Sequence, residues 1–198
     1  ADVAAALDVA RSHQVPITSR GGGTSQAGNA VGPGIVLDFS RHLNKILDVD
    51  PVQKTARVQP GALMSELQKA GAPHGLRFGP DPSTKNRATI AGMIGNNSCG
   101  PHAISYGRTV DNTVEMDVID GTGRAFTAGA GLDAVPGLAD IAARHLAVIR
   151  TEFGRFSRQA SAYAMEHLLP ENKPNLAKFL VGTEGTLTTI TEAVVSLG

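Results

Sequence analysis

The stretch Ser19–Gly32, SRGGGTSQAGNAVG, holds five glycines in fourteen residues, directly behind the apolar segment VPIT and just ahead of GIVLDFS. Each glycine costs roughly 0.5–1 kcal/mol relative to alanine in regular structure, so a chain that fixes such a loop between two apolar segments must recover the cost elsewhere. The usual means is an anion held by bare backbone amides, which converge into a concave nest when no side chains cover them. Two familiar phosphate loops do not fit. In a G-x-G-x-x-G fingerprint starting at Gly21 and Gly23, the third glycine position is Gln26, and a strand rather than a helix follows. The G-K-[ST] triplet of the P-loop occurs nowhere in the chain. What remains is strand, glycine loop, strand, with Thr24 and Ser25 as hydroxyl donors.

The chain has 198 residues, 41% of them hydrophobic, which suits one sizeable domain or two small lobes. Lys+Arg and Asp+Glu number 18 each and aromatic residues make up 4%, so a nucleic-acid partner, which needs a basic patch, is not expected. No apolar run reaches the ~18–20 residues of a membrane span, and the opening ADVAAALDVARSHQ has no basic region of a signal peptide. Cys99 is the sole cysteine, which excludes an internal disulfide and a cysteine-rich metal site; no metal ligands are assigned. The expected location is the cytoplasm, with membrane association only through an electron acceptor. Both ends read as cut, the first inside a helix and the last at the end of a strand, so a piece of a larger protein is expected.

Along the chain, an N-terminal helix with Val3, Leu7 and Ala10 on one face leads into the glycine loop. A buried strand (34–40) and a strand pair turned at Asp50 and Pro51 come next. A helix from about Ala62 has Leu63, Leu67 and Ala70 as its inner stripe and stops at Gly71. From Gly75 to Gly107 no period is sustained, although charges are few. A loop of that length in a compact domain is uncommon unless it is functional, and the expectation is an ordered segment wrapped on a ligand. Then come a hairpin with Val114, Met116 and Val118 alternating and a turn beginning at Asp120-Gly121, and one helix carrying Leu138, Ile141, Leu146, Ile149 and Phe153 on a single face. SAYAMEHLLPEN reads as a shorter helix ended near Pro170, and KFLVGTEGTLTTITEAVVSLG as strand, glycine turn, strand. The fold class is α+β with two strand-rich lobes, residues 1–60 and 61–198, divided near Pro60 and Gly61.

Five segments, PITSRGGGTSQAG, VLDFSRHLNKILDVD, PDPSTKNRATIAGMIGNNSCG, SYGRTVDNTVEMDVIDGTG and FLVGTEGTLTTITEAVVSL, resemble in sequence and in order the FAD-binding domains of the vanillyl-alcohol oxidase or p-cresol methylhydroxylase (PCMH) type. The resemblance covers almost the whole chain. It is nearest to bacterial FAD-linked oxidases acting on D-2-hydroxy acids, the D-lactate and D-2-hydroxyglutarate dehydrogenases. MIGNNSCGPHAISYGRTVDN and RTEFGRFSRQASAYAMEHLLPEN resemble the long members, in which a substrate cap domain and an iron–sulfur region follow.

The resemblance implies FAD between the two lobes. Its pyrophosphate would lie on Gly21, Gly22, Gly23, Thr24, Ser25, Gln26 and Ala27, with Gly28 ending the nest. Pro80, Asp81, Pro82 and Ser83 would form the turn beside the cofactor. Thr89, Ile90, Gly92 and Met93 would lie near the ribityl and flavin region, and Asn96, Asn97 and Ser98 would offer polar groups. Glu184, Gly185, Thr186, Leu187, Thr188, Thr189 and Ile190 would run along the adenosine side. Where the usual family pattern has two glycines after Thr-Ile, this chain has Ala91 and Gly92. Relatives with a histidyl-flavin bond from the glycine loop carry a histidine after the glycines; Thr24 stands there, so dissociable FAD is expected. Cys99 reads as a small thiol rather than an attachment point, and Arg20 as solvated or ion-paired. The implied reaction passes a hydride from C2 of a 2-hydroxy acid to flavin N5 and on to a downstream acceptor. The proton-accepting base and the carboxylate clamp belong to the cap domain absent here, so no catalytic residue is assigned, and the fragment alone is expected to be inactive. An iron–sulfur cluster would belong only to a full-length parent. Two other readings stay open: an NADPH-dependent flavin reductase of the cell-wall precursor type, and a non-enzymatic nucleotide-binding module.

Overall fold

A computed structural model of the chain describes residues 2–153, 155–156 and 163–198. Helix α1 (Asp2–Ser12) has Asp2 in its first turn and Arg11 in its last, which complements the helix dipole. It leads into β1 (Ile17–Arg20), which pairs in parallel with β2 (Ile35–Asp38), Ile17 opposite Ile35 and Arg20 opposite Asp38. Parallel neighbours need a crossover of a dozen or more residues, and the glycine-rich segment 21–34 is that crossover.

The second sheet has five strands in the order β3-β4-β7-β5-β6, every neighbouring pair antiparallel. Its strands are β3 (Ile46–Asp50), β4 (Thr55–Val58), β5 (Thr113–Asp120), β6 (Ala125–Ala128) and β7 (Thr188–Ser196). One face carries Ala56, Val58, Met116, Val118, Ala193 and Val195, all buried against α2 (Met64–Gly71), α3 (Ile90–Asn96) and α7 (Leu176–Leu180) through Met64, Leu67, Ile90, Ile94, Leu176 and Leu180. Strand alternation sends Arg57, Glu115, Asp117 and Glu192 to the opposite face. There Arg57 reaches all three carboxylates at 2.6, 3.1 and 3.3 Å, which relieves the like charges of Asp117 and Glu192, register partners on adjacent strands.

Short helices α4 (Ala103–Tyr106), α5 (Leu138–Arg144) and α6 (Leu146–Glu152) complete the described elements, with 3₁₀ turns at Ala72–His74, Thr109–Asn112, Met165–Leu168 and Pro170–Asn172.

Several expectations change. β3 and β4 join the five-stranded sheet, so the chain passes from one sheet to the other between Asp38 and Ile46, ahead of the 60/61 boundary. The inner stripe of α2 is Met64, Leu67 and Gly71, because the helix starts at Met64 instead of Ala62. The segment 75–107 contains two helices, α3 and α4, in place of continuous coil. The single long helix is two, parted at His145 (φ −115°, ψ 14°), and Ile141 stays 45% exposed. Of SAYAMEHLLPEN, residues 161–162 lie outside the described residues, and the chain beyond them forms the 3₁₀ turn Met165–Leu168. KFLVG ends a helix instead of forming a strand: Asn175 Oδ1 accepts the N–H of Lys178 at 2.8 Å and caps α7.

Candidate binding cleft

The glycine loop leaves β1 and folds over the start of α3. A Cβ on Gly21 would overlap the side chain of Thr89, and one on Gly22 would lie 2.9 Å from the carbonyl carbon of Arg87 and closer still to its oxygen. Gly21 and Gly22 are therefore required first for packing of the loop on segment 87–89. Gly23 and Gly28 have φ of 65° and 84°, a region open to glycine at little cost. Among the described residues, no acceptor takes a backbone hydrogen bond from residues 21–27.

Thr89, fully buried, caps α3 by accepting the N–H of Gly92 at 3.2 Å. The helical period then turns Ile90, Met93 and Ile94 to the core and Ala91, Gly92, Gly95 and Asn96 to the loop. Three of these four are glycine or alanine, which lets a ligand approach the helix closely. At the far end of α3, Gly182 donates its N–H to Ile94 O at 2.9 Å and Glu184 its N–H to Gly95 O at 3.1 Å. Asn96 Nδ2 donates to Glu184 Oε1 at 2.7 Å. Asn97 and Glu184 both hold left-handed backbone, φ 49° and 54°, a conformation that costs a glutamate about 1–2 kcal/mol and that clusters at ligand sites.

Between these walls runs one cleft in three contiguous parts of about 610, 890 and 1380 Å³, each including its open mouth. The first part is walled by Phe39, Pro60, Leu180 and Ile190, an apolar slot of the kind that takes a flat ring. The second lies along Gly21–Ser25 and is bounded by Pro82, Thr84, Met93, Ser98 and Cys99. The third is lined by Asn97, Arg108, Tyr163 and His167. Asn29 and Glu184 border all three. Half-buried His167 has its pKa pushed below the ordinary 6.5, chiefly by burial and further by the nearby cations Lys178 and Arg108.

Of the expected site residues, Gly21, Gly22, Gly23, Thr24, Ser25, Ala27, Pro82, Thr89, Gly92, Met93, Asn96, Asn97, Ser98, Glu184, Gly185, Thr186, Thr188 and Ile190 line the cleft. Gln26, Gly28, Pro80, Asp81, Ser83, Ile90, Leu187 and Thr189 do not. Ile90 is wholly in the core by helical phase, and Thr189, buried, alternates away from Thr188 and Ile190. The Asp81 carboxylate, 9% exposed, turns to His102 Nδ1 at 2.6 Å and joins the PDPS turn to the segment 99–102. Sequence reasoning missed Ser19, Asn29, Phe39, Pro60 and Thr84. Their only signal was position beside the loop or the PDPS turn; Phe39 and Pro60 reach the slot from separate elements. Among the described residues no cluster of His, Cys, Asp and Glu could hold a metal ion, and no helix is long and apolar enough to cross a membrane.

The residues present fit a flavin dinucleotide: loop residues 21–25, with amides free of backbone hydrogen bonds, line a cleft that adjoins an apolar slot. Comparison with known proteins agrees. The sequence model of the FAD binding domain matches residues 1–129. A D-2-hydroxyglutarate dehydrogenase of Pseudomonas putida is 36% identical over the whole chain, which spans 21% of that protein. The glycolate oxidase subunit GlcD of Escherichia coli is 38% identical over 68% of the chain and 27% of its own length. Among solved structures, an alkyldihydroxyacetonephosphate synthase superposes with a TM-score of 0.68 at 25% identity, covering 99% of this chain and 29% of the other. The chain thus spans about a fifth to a third of the relatives it matches.

Proposed function

Because this chain belongs to the family of FAD binding domains, we propose that it holds FAD without a covalent bond, as the cofactor-binding part of a dehydrogenase for a D-2-hydroxy acid such as D-lactate or D-2-hydroxyglutarate. The observation that supports this reading is that residues 21–25, whose amides make no backbone hydrogen bond, line a cleft that adjoins an apolar slot. When bound, FAD supplies the hydride acceptor, N5, for the hydrogen on C2 of the acid. The loop amides bind the diphosphate, and charge-assisted hydrogen bonds of that kind are about twice as strong as neutral ones. Phe39, Pro60, Leu180 and Ile190 exclude water from the adenine, and Asn96 holds the Glu184 turn against α3. Pro82, Ser98 and Cys99 border the part left for the flavin ring. The two lobes, one on each side of the cofactor, belong to the same reading. So do a cytoplasmic location and a further segment of a longer protein that supplies the base and carboxylate clamp.

Relatives named for D-2-hydroxyglutarate and for glycolate share the 2-hydroxy acid group and support that substrate class. The test is anaerobic mixing of the full-length flavoprotein with D-lactate, D-2-hydroxyglutarate, their L enantiomers, glycolate and NADPH, followed at the flavin absorbance. Bleaching by a D acid and not by its enantiomer is the expected result. Bleaching by NADPH alone would transfer the protein to the reductase class, and a protein that binds no flavin would overturn the reading altogether.

A further inference from the structure

We propose that Arg20 is a positioning residue for the cofactor diphosphate, fastening both limbs of the glycine loop and placing a fixed cation beside it. The inference rests on the FAD reading above and assigns a residue that the family resemblance left as a solvated or ion-paired side chain.

Arg20 ends β1, and its guanidinium folds back under the loop. On the outgoing limb it touches Gly23, where an added Cβ would lie 2.9 Å from Arg20 Cζ. On the returning limb, Arg20 Nη1 donates to the carbonyl oxygen of Ala30 at 3.3 Å. Its Nε stands 3.8 Å from Asp38 Oδ2, at the end of the partner strand. Asp38 is itself fixed, accepting from Ser40 N–H at 2.9 Å and from Ser40 Oγ at 2.6 Å. Those two bonds, helped by Arg20, hold its carboxyl below the usual range, so the anchor stays charged. A planar fork serves three directions at once; a lysine supplies the charge but not the geometry.

Charge balance points the same way. Among the described residues, Arg20 is the sole Lys or Arg lining the first part of the cleft, none lines the second, and Glu184 is the sole Asp or Glu in either; Arg20, beneath Gly23, is thus the cation that lies against the loop. Without Arg20, a dianionic diphosphate would meet a cleft of net negative charge.

The experiment uses full-length apoprotein and measures binding of FAD, ADP and riboflavin by calorimetry or by competition against FAD. Arg20→Gln is expected to weaken FAD and ADP by a common factor of roughly 10–100, the range of one charge-assisted hydrogen bond, and to leave riboflavin unchanged. It should also flatten the salt dependence of ADP binding. Arg20→Lys should restore part of the loss. Unchanged ADP affinity in Arg20→Gln, or an equal loss for riboflavin, overturns the proposal. If Arg20→Gln does not fold, Arg20→Lys and Asp38→Asn carry the test. Each keeps a cation and loosens the fork, and wild-type ADP affinity in both refutes it. A wild-type protein that binds no FAD refutes the functional reading instead, so the two failures are distinguishable.

Discussion

Replacing Gly22 by alanine adds one methyl group at a point where the loop lies on rigid backbone. The added carbon would sit 2.9 Å from the Arg87 carbonyl carbon and nearer its oxygen, against a comfortable separation of about 3.5–4.0 Å. Arg87 cannot retreat easily, because its turn is closed by Arg87 N–H to Thr84 O at 2.7 Å and Ala88 N–H to Thr84 O at 2.8 Å. The loop must therefore lift, on the order of an ångström, which is enough to break an amide hydrogen bond of 2.7–3.2 Å. Overpacking of this kind costs about 1–3 kcal/mol of stability. Each lost bond to the diphosphate adds about 1.5–3 kcal/mol to the binding free energy, a tenfold to hundredfold weaker Kd. Gly28→Ala is the control. No atom lies within 4 Å of its added carbon, but φ is 84°, so the cost is conformational, about 1–2 kcal/mol, and falls mainly on stability. Titration of FAD into full-length apoprotein, with denaturant melts alongside, separates the two. The reasoning is refuted if Gly22→Ala binds FAD like wild type, or if Gly28→Ala loses more affinity than Gly22→Ala.

Asn96→Ala removes the 2.7 Å bond to Glu184 and should weaken FAD about fivefold to tenfold; in a double-mutant cycle with Glu184→Gln the losses should be less than additive. Arg57→Met leaves Glu115, Asp117 and Glu192 facing one another and should cost about 1–2 kcal/mol at pH 7, less in high salt where the repulsion is screened, as read from urea melts at low and high salt. His167 has a folded pKa below 6.5, so below that pH the unfolded chain binds a proton that the folded chain resists. Stability should fall as pH drops from about 6.5 towards the folded pKa, and His167→Gln should flatten that part of the profile. Hydrogen exchange should show β1 and β2 gaining protection on addition of FAD, with the amides of Met116 and Val118 unchanged.

The parts of this molecule legible in sequence are those whose signal is local. The glycine loop between two apolar segments and the alternating hairpin that turns at Asp120-Gly121 announce themselves within a few residues. What was hidden depends on separation along the chain. Asn96 and Glu184 meet across 88 positions, and β3–β4 gains its place only through β7, at the other end of the sequence. Five apolar-rich residues such as KFLVG read equally as strand or helix end; the deciding signal was upstream, where Pro174 and the capping Asn175 open α7. Ile90 came into the expected site with a motif carried over as a block, whereas helical phase turns its side chain inward and Ala91 and Gly92 outward. Nothing in residues 143–146 explains the break at His145.

The small sheet explains why glycine loop, cation and cleft occur together. Two parallel strands with only half-buried or exposed side chains do not make an independently stable sheet. In α1 and β1–β2 the buried apolar side chain is Ala10, with Phe39 just beyond β2. The small sheet instead lies close against the rest of the chain at its glycines: Gly21 on the Thr89 side chain, Gly22 on the Arg87 carbonyl, and Gly61 against the Phe39 carbonyl. A ligand gripped by residues 21–27 on one side and by α3 and the Glu184 turn on the other adds a strut across the same junction. It stabilises the assembled form by RT ln(1 + [L]/Kd), about 2.7 kcal/mol at a hundredfold excess over Kd. On the proposed reading, the glycine-rich loop, costly in backbone entropy, is the element that a bound diphosphate would order. On that reading, cofactor binding and docking of the small sheet would be thermodynamically coupled.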